Sequence, residues 1–134
     1  MSQITVRLYS LPSYPTRFYF RKLLPTSAII TDEKITRYLL VPREHDDKSK
    51  FLALAGFTQD NPELLKAAIR QLADSTEAIQ DRDNEYGVFY RFTGELIGLK
   101  GRNLAVITVW LQRAVDGKFQ LITLKPNKES ANEL

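Results

Sequence analysis

The chain has 134 residues, no cysteine, a single histidine, and 19 lysines and arginines against 16 acids, for a net charge of +3. That length suits one domain with its own apolar core. Disulfides, iron–sulfur clusters and thiolate zinc sites are excluded, and one histidine is too few nitrogen ligands for a histidine-based metal centre, so the expectation is a protein that works without metal or cofactor.

The opening stretch MSQITVRLYSLP has no charged segment followed by an apolar run of signal-peptide length, and no later run is long enough to span a bilayer. The expected setting is the cytoplasm, with no membrane contact. Residues 1–30 hold Arg7, Arg17, Arg21 and Lys22 and no acid, so the basic excess lies at the front. Tyr9, Tyr14, Phe18, Tyr19 and Phe20 are interleaved with these cations. Aromatic faces among positive charges suit single-stranded nucleic acid, which makes Arg17 and Arg21 candidate RNA contacts. The plainer alternative is a pair of strands, QITVRLYS and RFYFRKL, with aromatics inward and arginines outward across the linker LPSYPT.

TDEKITRYLLV places acids at a helix start and Ile35, Tyr38 and Leu39 at helical spacing, with Pro42 as a stop. After the charged loop REHDD, KSKFLALAGF predicts a second short helix with Phe51, Leu52 and Leu54 or Ala55 inward and Gly56 as a left-handed cap. DNPELLKAAIRQLADS predicts an amphipathic helix: Asn61 at the N-cap, Pro62 at N1, Glu63 in the first turn, and an apolar face of Leu64, Leu65, Ala68, Ile69 and Leu72. TEAIQDRDNE is polar throughout and reads as a loop.

From there the period changes to two. YGVFYRF, ELIGLKGR with glycines at turns, NLAVITVWLQRA, the turn VDGK, and FQLITLK predict three or four antiparallel strands, and the tail NKESANEL is expected to fray. Both alternating sets of NLAVITVWLQRA are apolar, which makes that strand central. Helices followed by an antiparallel sheet give an α+β fold with helices on one sheet face and the other face solvated or used.

Chemistry gathers on few residues. His45, beside Lys48 and Lys50, carries the one side chain whose unperturbed pKa suits proton transfer at neutral pH, and nearby cations would stabilise charge developing on a phosphate. Asp46 and Asp47 favour its imidazolium form. The plainer reading is a polar residue on a solvated loop. Lys100 and Arg102, in the GLKGR turn, are candidate phosphate contacts, although solvated turn charges are the commoner case. No phosphate-binding glycine loop, nucleophile elbow or zinc-protease motif is present, and the glycines of GELIGLKGR, Gly94 among them, read as strand turns rather than a dinucleotide loop.

Lys34 to Leu40, His45, Lys50 with Gly56 and Phe57, Tyr86–Gly87, Gly101–Arg102, Thr108 to Trp110, and Leu121 to Pro126 form an ordered set. The set resembles a family of small, mostly uncharacterised bacterial domains similar to ribonuclease toxins of the barnase, EndoU, colicin and RelE class. The match covers roughly residues 24–126, with residues 1–23 as a basic, aromatic-rich addition and residues 127–134 as tail. HDDKSK lacks the glycine of that pattern before the lysine, and LKP replaces a tyrosine–proline ending.

The resemblance implies N-terminal helices on a curved antiparallel sheet. It implies metal-independent cleavage of RNA by attack of the 2'-hydroxyl on the adjacent phosphate, and a small antitoxin or immunity protein as partner. By residue it implies His45 as general acid or base, Lys50 as the cation at the scissile phosphate, Thr123 as a hydroxyl donor, and Arg102 as a phosphate contact. The competing expectations are a non-catalytic protein- or RNA-binding module on the same scaffold, and an assembly protein that pairs an exposed strand edge with another chain.

Overall fold

A computed structural model describes residues 24–45 and 47–128. The two strands expected within residues 1–23, with Arg17 and Arg21, lie outside the described residues, as do Asp46, the Lys100 side chain and residues 129–134.

Alternating, β-branched-rich sequence in the C-terminal half forms one antiparallel sheet whose order follows the chain: β1 (Ile79–Asn84), β2 (Gly87–Ile97), β3 (Asn103–Arg113) and β4 (Phe119–Pro126). The doubly apolar β3 is an inner strand, as its pattern predicts. Its Leu104, Val106, Thr108 and Trp110 are buried on one face with Phe92 and Leu96 of β2 and Leu121 and Leu124 of β4. Thr108 is satisfied in this core, since its hydroxyl donates to the Phe92 carbonyl at 3.3 Å and accepts from the Trp110 indole at 3.0 Å.

Helices cover that face. The helix α1 (Ser49–Ala53) is short and buries Leu52, and α2 (Pro62–Ser75) buries Leu65, Ala68, Ile69, Leu72 and Ala73. Leu64, expected inward, is 44% exposed because it falls just outside this stripe. Asn61 precedes the helix but does not cap it: its side chain turns back, accepting from the Thr58 amide at 2.9 Å and donating to the Gly56 carbonyl at 3.0 Å. Gly56 takes the expected positive φ of 91°.

The first helical segment is wider than an α-helix. Residues Lys34–Leu39 form a π-helical turn, with the Leu40 amide reaching the Ile35 carbonyl at 3.0 Å. Ile35, Leu39 and Leu40 are all buried, while the Thr36 carbonyl accepts from the Gln59 amide at 2.7 Å.

Two strand expectations change. TEAIQDRDNE is not all loop, because Ile79–Asn84 is an edge strand whose six residues are exposed. It carries no apolar alternation and is held by its backbone ladder to β2, so a side-chain pattern could not reveal it. YGVFYRF and GELI belong to one strand rather than two. Gly94 is no turn; it lies under α2, where a Cβ would come within 3.0 Å of Thr76 Cγ2. The turn comes later, at the 3₁₀ segment Leu99–Gly101.

The edge of β4 is partly covered. Ile29 pairs with Gln120 in a parallel bridge, its amide reaching the Phe119 carbonyl at 2.7 Å and its carbonyl accepting from Leu121 at 2.9 Å. The opposite sheet face carries Arg91 and Thr93 of β2, Ile107 and Val109 of β3, and Thr123 and Lys125 of β4.

Candidate functional site

Local sequence sets the position of Lys48. Asp47 closes a turn at the start of α1, its carboxylate accepting from the Ser49 amide at 2.8 Å and the Ser49 hydroxyl at 2.6 Å. Those two bonds, with smaller contributions from the Arg43 amide and the Lys50 charge, hold the Asp47 carboxyl below the usual aspartate range. The residue between, Lys48, is 7% exposed and its side chain extends to β4.

There its ammonium donates to Thr123 Oγ1 at 3.1 Å and to Tyr38 Oη at 3.2 Å. An ammonium has no lone pair, so both hydroxyls accept. A β-bulge at Ile122 allows this arrangement, since the register moves from Trp110–Leu121 to Val109–Thr123 and re-aims the end of β4.

Tyr38 is the centre of a cationic group. Lys34 Nζ and Arg43 Cζ each lie 4.8 Å from its ring centroid, and Lys48 Nζ lies 5.1 Å away. Burial first, and then the Lys48 charge, lower the pKa of Lys34. None of the ion pairs among the described residues involves Lys34 or Arg43. A site with this charge attracts anions.

A cleft of about 600 Å³ opens beside Lys48 on the sheet face opposite α2, lined by Asp47, Lys48, Ile107, Lys125, Pro126 and neighbouring Lys128. Three cations against one acid make its lining positive. Among the described residues no three His, Cys, Asp or Glu side chains gather where they could hold a metal ion.

Of the residues expected at a site, Lys48 and Thr123 are brought together. His45 is exposed on the loop three positions before Lys48, and Lys50 is exposed on α1. Neither makes a hydrogen bond to the pair among the described residues. Arg102 is exposed in the β2–β3 turn and does not line the cleft. Sequence reasoning missed Tyr38, Lys34, Arg43 and Lys125. The signal for Lys125 was present, since alternation on β4 puts it on the same face as Thr123. No comparable pattern marks Tyr38, whose ring and hydroxyl play separate parts.

Fold and cleft together define a small α+β domain with a helix-covered antiparallel sheet and a cationic cleft on its other face. Residues 24–128 match the model of a domain of unknown function, DUF6883, and the chain belongs to that family. Its fold is similar to that of a chain in the contact-dependent growth inhibition toxin–immunity protein complex from Klebsiella pneumoniae 342. The TM-score is 0.60 and the identity 20%, over 75% of this chain and 100% of that one, a likeness of fold. No curated protein matches the chain.

Proposed function

We propose that the chain is a toxin-like ribonuclease of the cytoplasm, which binds RNA in the cleft and cleaves it by attack of a 2'-hydroxyl on the adjacent phosphate. The observation that carries this reading is the nearly buried Lys48 ammonium, fixed by hydroxyls from two remote stretches and opening onto a positively lined cleft. Attack builds negative charge on the phosphate oxygens. A cation already held in place stabilises that charge without reorganising during the reaction.

In this reading Thr123 and Tyr38 position Lys48, while Lys125 and Lys128 draw in the strand by its phosphates. Holding the 2'-hydroxyl in line with the phosphate supplies a further part of the acceleration. As the 2'-oxygen bonds to phosphorus the bond to the 5'-oxygen breaks, and His45, exposed on the loop that carries Lys48, takes the 2'-hydroxyl proton and returns one to the departing 5'-oxygen. The likeness of fold to a chain from a toxin–immunity complex supports a partner protein that silences the activity.

Purified protein should cut RNA in the presence of EDTA and leave 2',3'-cyclic phosphate ends, and Lys48→Ala should abolish cutting. Folded protein that leaves RNA intact overturns the proposal. The absence of a hydrogen bond from His45 or Lys50 to the Lys48–Thr123 pair favours a second reading, a non-catalytic protein- or RNA-binding module. RNA bound but uncut would select it.

A further inference from the structure

Among the described residues, two buried side-chain polar atoms have no hydrogen-bond partner: Thr76 Oγ1 and Arg91 Nε. A hydroxyl without a partner is a small matter beside a buried guanidinium nitrogen, which carries part of a positive charge and has only donors to offer. Native structures seldom leave such a donor without a reason. Arg91 takes part in none of the ion pairs among the described residues either.

Its place on the sheet supplies a reason. Arg91 of β2 pairs with Val109 of β3, and Val109 pairs with Thr123 of β4, so the three form one half-buried row across the face opposite α2. Two strand spacings put the Arg91 and Thr123 backbones about 10 Å apart. The neighbouring row holds Thr93, Ile107 and Lys125, and the last two line the cleft. Along this row Val109 stands between Thr123, the partner of Lys48, and Arg91, which lies beyond the lining of the cleft on the β2 side.

Arg91 Nε is closed to solvent, whereas the two terminal nitrogens make no bond among the described residues and are not buried. The pair of terminal nitrogens of a guanidinium can take two oxygens of a phosphate or carboxylate at once. We infer that Arg91 is a substrate-binding residue, which holds a backbone phosphate of RNA over Val109 from the side opposite Lys48. This inference rests on the ribonuclease reading and adds to it a cation from β2.

The test is binding of a single strand that cannot be cut, an all-2'-deoxy oligonucleotide, measured over a range of salt concentration for wild type, Arg91→Met, Arg91→Lys and a control, Lys118→Met, which removes an exposed turn charge. For Arg91→Met the expected results are roughly tenfold weaker binding, a salt dependence shallower by about 0.7 in log–log slope, as for one lost phosphate contact on a single strand, and a Tm no lower than wild type. Arg91→Lys should recover part of the affinity, and Lys118→Met should leave the slope unchanged.

An unchanged slope and affinity in Arg91→Met, or a lowered Tm with an unchanged slope, overturns the role of Arg91 while the RNA reading stands. If wild type itself does not bind the oligonucleotide, the RNA reading falls and the inference with it.

Discussion

Lys48 and Thr123 stand 75 positions apart in the chain and 3.1 Å apart in the fold, joined by an ammonium-to-hydroxyl hydrogen bond. A bond of that kind to a charged group contributes about 1.5–3 kcal/mol, and losing it leaves the ammonium less firmly placed. Thr123→Val keeps the shape and removes the acceptor. The variant should remain folded and cleave RNA about tenfold or more slowly than wild type in a single-turnover assay. Equal rates would show that Thr123 does not position the cation.

Tyr38 joins two roles that substitution can separate. Tyr38→Phe keeps the ring under Lys34, Arg43 and Lys48 and loses only the hydroxyl, whereas Tyr38→Leu also removes the face that holds three cations together. At about 0.5–1 kcal/mol for each of the three cations, Tyr38→Leu should lose about 1.5–3 kcal/mol more stability than Tyr38→Phe in urea unfolding. The difference should shrink in high salt, where repulsion among the cations is screened.

Asp47 gives a dependence on pH whose direction follows from its bonds. Its carboxyl titrates below the usual aspartate range in the folded protein, chiefly because Ser49 donates twice to the ionised form. The unfolded chain therefore takes up the proton first as pH falls. The stabilisation by Asp47 is present above the ordinary aspartate pKa, near 3.9, and is lost as pH drops through the lower folded value. Thermal melts should show wild type above Asp47→Asn at neutral pH and the gap closing below about pH 4. A gap that stays constant with pH would remove the carboxylate from the account of the turn.

Gly98 tests the turn between β2 and β3. A Cβ there would lie 2.1 Å from the Arg102 carbonyl oxygen and 2.4 Å from the Ala55 side chain, backbone on one side and core on the other. Gly98→Ala should lower stability by about 1–3 kcal/mol, as overpacking does, whereas Gly101→Ala meets no atom and is strained only by its φ of 75°. Urea unfolding of the two variants should rank them in that order.

Sequence reached the fold through periodicity, and its limits follow the same principle. β3 announced itself as central because both of its faces are apolar, and α2 through its stripe from Leu65 to Leu72. β1 could not be found that way, since all of it is exposed and its pairing with β2 runs through the backbone, with Arg82 over the Phe89 ring as a side-chain contact that leaves no period in the sequence. Gly94 looked like a turn because close passage of a helix demands the same small residue that a turn does. At the site, the resemblance pointed to Thr123 and to Lys50 as the cation, whereas the lysine that meets Thr123 is Lys48. Whether Lys48 or Lys50 turns inward depends on the Asp47–Ser49 turn and on the bulge at Ile122, both of which are relations in space.

The hydroxyl that completes the grip on Lys48 belongs to β4, so the cleft is not assembled until that strand docks on β3. A chain that has built its helices but not yet docked β4 has the ammonium and no mate for it on that side. Whatever this cleft does waits on that docking, and anything that peels β4 from β3 undoes it by carrying Thr123 and Lys125 away from Lys48.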